Sequence, residues 1–332
     1  FFFKQKTAYE ISRSDWSSDV CSSDPILESR QLKFKNKKKA AELLSRYNYF
    51  DVINGFESIL LKKSVPNKEY ENVYFEDFRD LFFFDMRLKK YTLFKIFDIE
   101  ARLRTSIAYN FAATYCNTPT DTLNYLNPSY YKAPSASDTN MTNRFNSFDL
   151  FRTTQYYRNG QVRRRSFIDD LKHEKDYASQ YIDPPFWVAI KSLPLGSLYY
   201  TFVFLNDIVK EKVLIDFGLS LADASAFEQA LFVLKEMRNQ CAHLELITRF
   251  KLKSQRAALN NFNDIRAMSG LARGNLSYLD VLKILNTFVP ISDIKKQVLF
   301  FYLGMGIKGR KKIADKALSK MGRKKLSVWM KL

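Results

Sequence analysis

The chain holds two histidines in 332 residues, His173 and His243, so imidazole chemistry within one copy must use one of them. His243 closes the run Arg238-Asn239-Gln240-Cys241-Ala242-His243. Arginine is permanently charged and matches phosphate bidentately. An imidazole that titrates near neutrality can take the proton of a ribose 2′-hydroxyl or return one to a leaving oxygen. The amide of Asn239 can orient either group. These residue types suit cleavage of RNA without a metal, Arg238 stabilising the charge that builds on the phosphoryl oxygens. The spacing RxxxxH also arises by chance, and a surface or satisfied core histidine is the plain alternative. His173, within Lys172-His173-Glu174-Lys175, reads as solvent-facing.

An element must hold these three side chains. Phe227, Leu231, Leu234, Met237, Cys241 and Leu244 recur at spacings of three and four, which predicts one amphipathic helix from about residue 222 to 250. At 100° per residue Arg238 falls inside the apolar sector, which is costly unless it is paired or an anion contacts it. Asn239 and His243, four apart, share a flank away from that sector. Two further helices are expected over about 76–91 and 93–115, the second with Ile96, Ile99, Leu103, Ile107 and Phe111 as its apolar stripe. Glu100 and Arg104 fall outside the stripe, and a surface i, i+4 ion pair worth a few tenths of a kcal/mol is their plain reading. Residues 117–165 read as a loop-rich insertion with one short helix near 142–151, and Asn54-Gly55 as a turn. Helical patterns resume over 187–205, 209–217, 276–289 and 292–303. With ten Gly, nine Pro and no Pro between Leu195 and Val289, the fold class is all-α.

Charge narrows the partner. Lys plus Arg number 53 against 35 Asp plus Glu, a net +18 that points to a polyanion, usually nucleic acid or an anionic membrane surface. The basic residues come in runs: Lys35, Lys37, Lys38 and Lys39; Arg163, Arg164 and Arg165; and a C-terminal tail with Lys308, Arg310, Lys311, Lys312, Arg323, Lys324 and Lys325. Tyr and Phe near some of them suit stacking of single-stranded RNA. Solvated helix faces are the alternative for each run. Three Cys form no disulfide framework or metal-ligand spacing. No metal and no cofactor is expected. Gly304, Gly306 and Gly309 spell a dinucleotide fingerprint without its strand-helix context or its distant acidic residue. No apolar run approaches the ~20 residues that cross a bilayer, so no membrane partner is expected. Residues 1–24, FFFKQKTAYEISRSDWSSDVCSSD, show neither helical nor strand periodicity and read as an artefactual or disordered tail resembling translated sequencing-adapter read-through.

Beyond the residues themselves, Arg238 to His243 resembles the RNxxAH signature of the HEPN ribonuclease superfamily. More specifically the chain resembles the Abi-like (AbiD/AbiF, Abi_2) abortive-infection proteins. Asn48-Tyr49-Phe50 through Ile53-Asn54-Gly55-Phe56 is similar to their "NYF..INGF" segment. Phe84-Asp85 through Ile107-Ala108-Tyr109 is similar to "FD..LR..L...IE..LR..IAY". Pro185 to Leu198 is similar to "P.W...E.L.LG.L", with Lys191 where an acidic residue is usual, and Met321-Gly322 and Trp329 to the closing "MG....W".

The resemblance implies an all-α HEPN-type bundle with additional N- and C-terminal helices that acts as a homodimer, two RxxxxH motifs meeting across the two-fold axis. It implies RNA as substrate, a noncoding RNA as a regulatory partner, and phage defence in the bacterial cytoplasm as the setting. Carried over residue by residue, Arg238, Asn239 and His243 are the catalytic candidates, and Glu100 and Arg104, in the matched "IE..LR" helix, are either a surface ion pair or support behind them. The organisation expected is an N-terminal helical region over 25–92, a HEPN domain over 93–250 with its insertion at about 117–165, and a C-terminal helical region with a basic tail over 251–332. The rival reading is a noncatalytic RNA-binding protein in which RxxxxH serves only dimer packing.

Overall fold

In a computed structural model the described residues are 27–63 and 68–332, and the adapter-like segment lies outside them. The fold is all-α. In chain order the main helices are α1 (Lys37–Arg46), α2 (Phe75–Tyr115), α3 (Thr139–Asn146), α4 (Phe167–Glu174), α5 (Leu195–Phe204), α6 (Asp207–Asp216), α7 (Ala224–Ala242), α8 (Asn263–Ser269), α9 (Tyr278–Phe288), α10 (Ser292–Ile307) and α11 (Lys311–Met321). Two antiparallel hairpins accompany them, β1 (Leu61–Lys63) with β2 (Glu69–Tyr70), and β3 (Thr153–Arg158) with β4 (Gln161–Ser166). The tail after Lys308 is itself helical, as α11 and the short turn Leu326–Met330.

The two helices expected over 76–91 and 93–115 are one, 41 residues long. Nothing at Lys90-Tyr91-Thr92-Leu93 breaks a helix, and Thr92 spends its hydroxyl on Tyr278, 2.7 Å away, rather than on ending the turn. The stripe Ile96, Ile99, Leu103, Ile107 and Phe111 is buried throughout, as its spacing requires. The insertion differs from its reading as loop. Asn159 and Gly160, with φ of 51° and 74°, form the two-residue turn of a twisted hairpin whose strands pair from Thr153↔Ser166 to Arg158↔Gln161.

The chain divides into two compact units. The first comprises the described residues up to Lys89 together with Leu246–Arg249 and Lys295–Met330. Its core gathers Val52, Ile53, Phe56, Phe78, Phe84, Leu318, Met321 and Trp329, and Phe84 stacks on Phe301 with ring centroids 3.9 Å apart. The second comprises Lys90–Glu245 and Phe250–Ile294, with the last two residues. It packs α7 through Phe227, Leu231, Leu234 and Met237 in a core shared with Phe202, Leu282 and Leu285.

Within the first unit the Asn54-Gly55 turn signal corresponds to a wide helical turn over Phe50–Asn54, the Gly55 N–H reaching Phe50 O at 2.8 Å. Gly55 has an ordinary helical φ, so its requirement is space. A Cβ there would sit 2.6 Å from Leu246 Cδ1 and closer still to the carbonyl oxygen of Asp51. The chain just past the RxxxxH motif thus lies on bare backbone. Gly55→Ala should destabilise the protein by about 1–3 kcal/mol through overpacking, read as a lower urea midpoint, while Gly196→Ala, at an open position, should cost far less.

Candidate active site

The motif sits at the C-terminal end of α7, which stops at Ala242 rather than near 250. His243 is the capping residue, its N–H on Asn239 O at 2.9 Å. Leu244 follows with φ of 58°, its N–H on Cys241 O at 3.2 Å, and the Glu245 N–H reaches Gln240 O at 3.0 Å. This pair of bonds is the Schellman closure of a helix, with leucine where glycine is usual. The apolar spacing overruns the stop because the sequence offers no glycine there. Leu244 leaves the apolar face for which its spacing qualified it and is 57 % exposed.

His243 and Asn239 are exposed, one turn apart, and Cys241 is buried beneath them. Arg238 is half-buried. Its Nε lies out of reach of water with no hydrogen-bond acceptor, and the guanidinium's approach to Asn239 Oδ1, at 3.5 Å, is at the outer limit of a hydrogen bond. Among the described residues no carboxylate pairs with it. A permanent cation is therefore held at the edge of the core with its compensation missing, the situation in which an anionic ligand is worth most.

Arg238 and Asn239 open onto a cleft of about 400 Å³ within the second unit. Its far wall is the insertion, through Arg144, Ser147, Phe148 and Asp149, and its floor is the start of α5, Pro194 to Ser197, with Tyr200. Ser197 Oγ donates to Asp149, which also pairs with Arg152 at 3.3 Å. Arg144 and Lys235 carry no signal in the sequence that marks them as site residues. Arg144 lies in the polar insertion outside its arginine run and comes within reach of α7 only through the fold.

Glu100 and Arg104 depart from their reading as a surface pair. The Glu100 side chain is buried, and Arg104 bonds both to it and to the carbonyl of Leu193, 2.9 Å away. Together they tie α2 to the residue preceding the cleft floor. One carboxylate oxygen of Glu100 and Nε of Arg104 remain without partners.

The basic runs fall in different places. In the first unit Lys35 and Lys39 share a recess of about 210 Å³ with Lys308 and Arg310, lined also by Glu76, Asp77 and Asp80. Much of that charge is spent internally: Asp80 takes Lys308, Asp77 takes Arg310 at 3.4 Å, and Arg310 donates to Asn72 O at 2.7 Å. Lys37 pairs with Glu28. Lys38, Lys311, Lys312, Arg323, Lys324 and Lys325 are all exposed. In the second unit Arg163, Arg164 and Arg165 lie on β4 of the hairpin, the first two exposed and Arg165 over the Tyr156 ring at 4.1 Å. His173, on α4, is exposed. Among the described residues no three of His, Cys, Asp and Glu gather as metal ligands, and no single helix is long and apolar enough to cross a membrane.

Residues 42–247, more than half of the chain, match the family of Abi-like proteins, and the chain belongs to that family. The matched stretch contains the segments at 48–56, 84–109 and 185–198 and the RxxxxH motif, while Met321, Gly322 and Trp329 lie beyond it. No curated protein and no solved structure matches the chain.

A left-handed leucine costs roughly 1–2 kcal/mol that glycine would not. Leu244→Gly should therefore stabilise the protein by about 1 kcal/mol at a position that is mostly solvent-exposed, seen as a raised melting temperature with helix content unchanged by circular dichroism.

Proposed function

We propose that the protein is a metal-independent endoribonuclease of HEPN type, acting in bacterial phage defence by abortive infection. His243 exchanges the proton of the ribose 2′-hydroxyl or of the leaving 5′-oxygen, Arg238 binds the scissile phosphate, and Asn239 orients them. The observation that carries this reading is Arg238, an uncompensated guanidinium at the mouth of an open cleft, with an exposed imidazole five residues on, at the cap of the same helix. One imidazole per chain supplies either a base or an acid. Two copies related by a two-fold axis supply both, so the active form is a homodimer. Its substrate is RNA, and a noncoding RNA is the partner that holds it silent.

His243→Ala should preserve the fold and dimerisation measured by sedimentation while lowering RNA cleavage at least a hundredfold, the lower range for loss of a general acid or base. Products of the wild type should carry 2′,3′-cyclic phosphate and 5′-hydroxyl ends, with undiminished yield in EDTA. Cleavage that survives His243→Ala, or that chelator abolishes, overturns the mechanism.

The tail cations Lys311, Lys312, Arg323, Lys324 and Lys325 anchor RNA through phosphates in this reading, with Lys35, Lys37, Lys38, Lys39 and the hairpin's Arg163, Arg164 and Arg165 as further anchors. Neutralising those five tail residues should weaken binding and flatten the plot of log affinity against log salt by about 0.7 for each single-strand phosphate no longer neutralised. Filter binding across a salt series measures both.

A further inference from the structure

The cleft beside the motif holds more positive charge than Arg238 supplies. Lys235 stands three residues before Arg238 on the same face of α7, and Arg144 reaches in from α3 on the opposite wall. Arg144 lies over the Tyr200 ring, 5.4 Å from its centroid, and Lys235 over Phe232 at 4.3 Å while pairing with Glu236 at 3.0 Å. The aromatic face holds Arg144 in place without discharging it, whereas Glu236 offsets part of the Lys235 charge. The carboxylate in the cleft, Asp149, is already engaged by Arg152 and Ser197.

The floor adds donors. The ten-residue helix α5 begins here with Pro194 at its cap, a residue with no side-chain acceptor for the first-turn N–H groups. That end is open, since a Cβ built at Gly196 would meet only Lys235 Cδ, at 3.8 Å. Three cations from two walls and an uncapped helix start thus converge on one polar cleft. From Lys235 to His243 the helix rises about 12 Å at 1.5 Å per residue. The cleft therefore runs along the motif helix past Arg238 to within one turn of the histidine.

Resting on the ribonuclease reading, we propose that Arg144, Lys235 and the α5 N-terminus form a second phosphate subsite, which holds the RNA phosphodiester next to the scissile one and sets the register of the cut. Arg144 grips the phosphate as a fork, Lys235 contributes a point charge, and Arg238 faces the neighbouring, reacting phosphate.

The test uses the full chain carrying His243→Ala, so that binding is read without cleavage. A short single-stranded RNA is titrated by filter binding at several salt concentrations, against Arg144→Gln and Lys235→Gln in that background, with melting curves to verify folding. Each substitution should weaken binding about tenfold and make the salt slope less negative by about 0.7, and Arg144→Lys should recover part of the affinity. In the active enzyme the same changes should raise KM more than they lower kcat, and should shift the cleavage position on an end-labelled RNA. Folded variants with unchanged affinity and slope overturn the subsite. So does competition by AMP or inorganic phosphate at the concentration of the RNA's own phosphates, which would mark a small-molecule site. Should the wild type cleave no RNA while the slope change persists, the ribonuclease reading fails and the phosphate subsite stands.

Discussion

A buried carboxylate holds the chain where it leaves the motif. Asp85, almost wholly enclosed in α2, accepts the Ile247 N–H at 2.8 Å and pairs with Lys89 one turn on at 2.8 Å, itself enclosed. Burial pushes the carboxyl up, while Lys89 and the backbone N–H groups of Ile247 and Thr248 pull it back. Such a pair gains little over an apolar one, yet losing one member leaves a stranded charge at a cost of about 3–5 kcal/mol. Its value is positional. Residues Leu246–Arg249 are drawn onto α2, Leu246 lands on Gly55, and Arg249 reaches the Asn54 carbonyl at 2.6 Å and the ring of Phe50. The Asn48–Phe56 segment and the Phe84-Asp85 pair, far apart in sequence, meet at this clasp on the residues following His243.

That clasp separates two uses of charge. Where cations face carboxylates across packed helices, as Lys308 faces Asp80 and Arg310 faces Asp77, they serve the first unit's own packing. Where they face aromatic rings or nothing, as do Arg144, Arg165 and Arg238, the charge is left over for a ligand. An excess of +18 says that such surplus exists and not where it lies. The tail illustrates the difference, since its run of basic residues divides into ion-paired members at 308 and 310 and solvent-facing ones from 311 onward.

Periodicity makes the buried stripe of α2 and the apolar face of α7 legible, because both answer to a spacing of three and four. Boundaries are harder wherever the usual punctuation is absent or ambiguous. Leu244 ends α7 in a conformation that favours glycine, so the sequence carries no sign of the stop. Asn159-Gly160 is a strong hairpin signal, but it sits in a stretch whose Ser, Thr, Asn and Pro content reads as loop. In the site, Arg238, Asn239 and His243 stand within six residues and are recognisable as a unit. Arg144 lies more than ninety residues upstream on another helix, and no local pattern could join it to them.

The residues that carry the family resemblance divide the same way. Gly55, Phe84, Asp85, Glu100 and Trp329 are buried and bear on packing, through a close approach, a ring stack, a clasp, a tie to the cleft floor and a core indole whose N–H reaches Arg323 O at 2.8 Å. Asn239 and His243 are exposed, and Arg238 lines the cleft. Membership of the Abi-like family is therefore chiefly a statement about architecture, to which many buried residues contribute. Chemistry rests on far fewer. On the proposed ribonuclease reading, loss of the Asp85 clasp and loss of the His243 imidazole would both silence the enzyme, yet only the first would appear in a melting curve, because only the first leaves a buried charge without its partner.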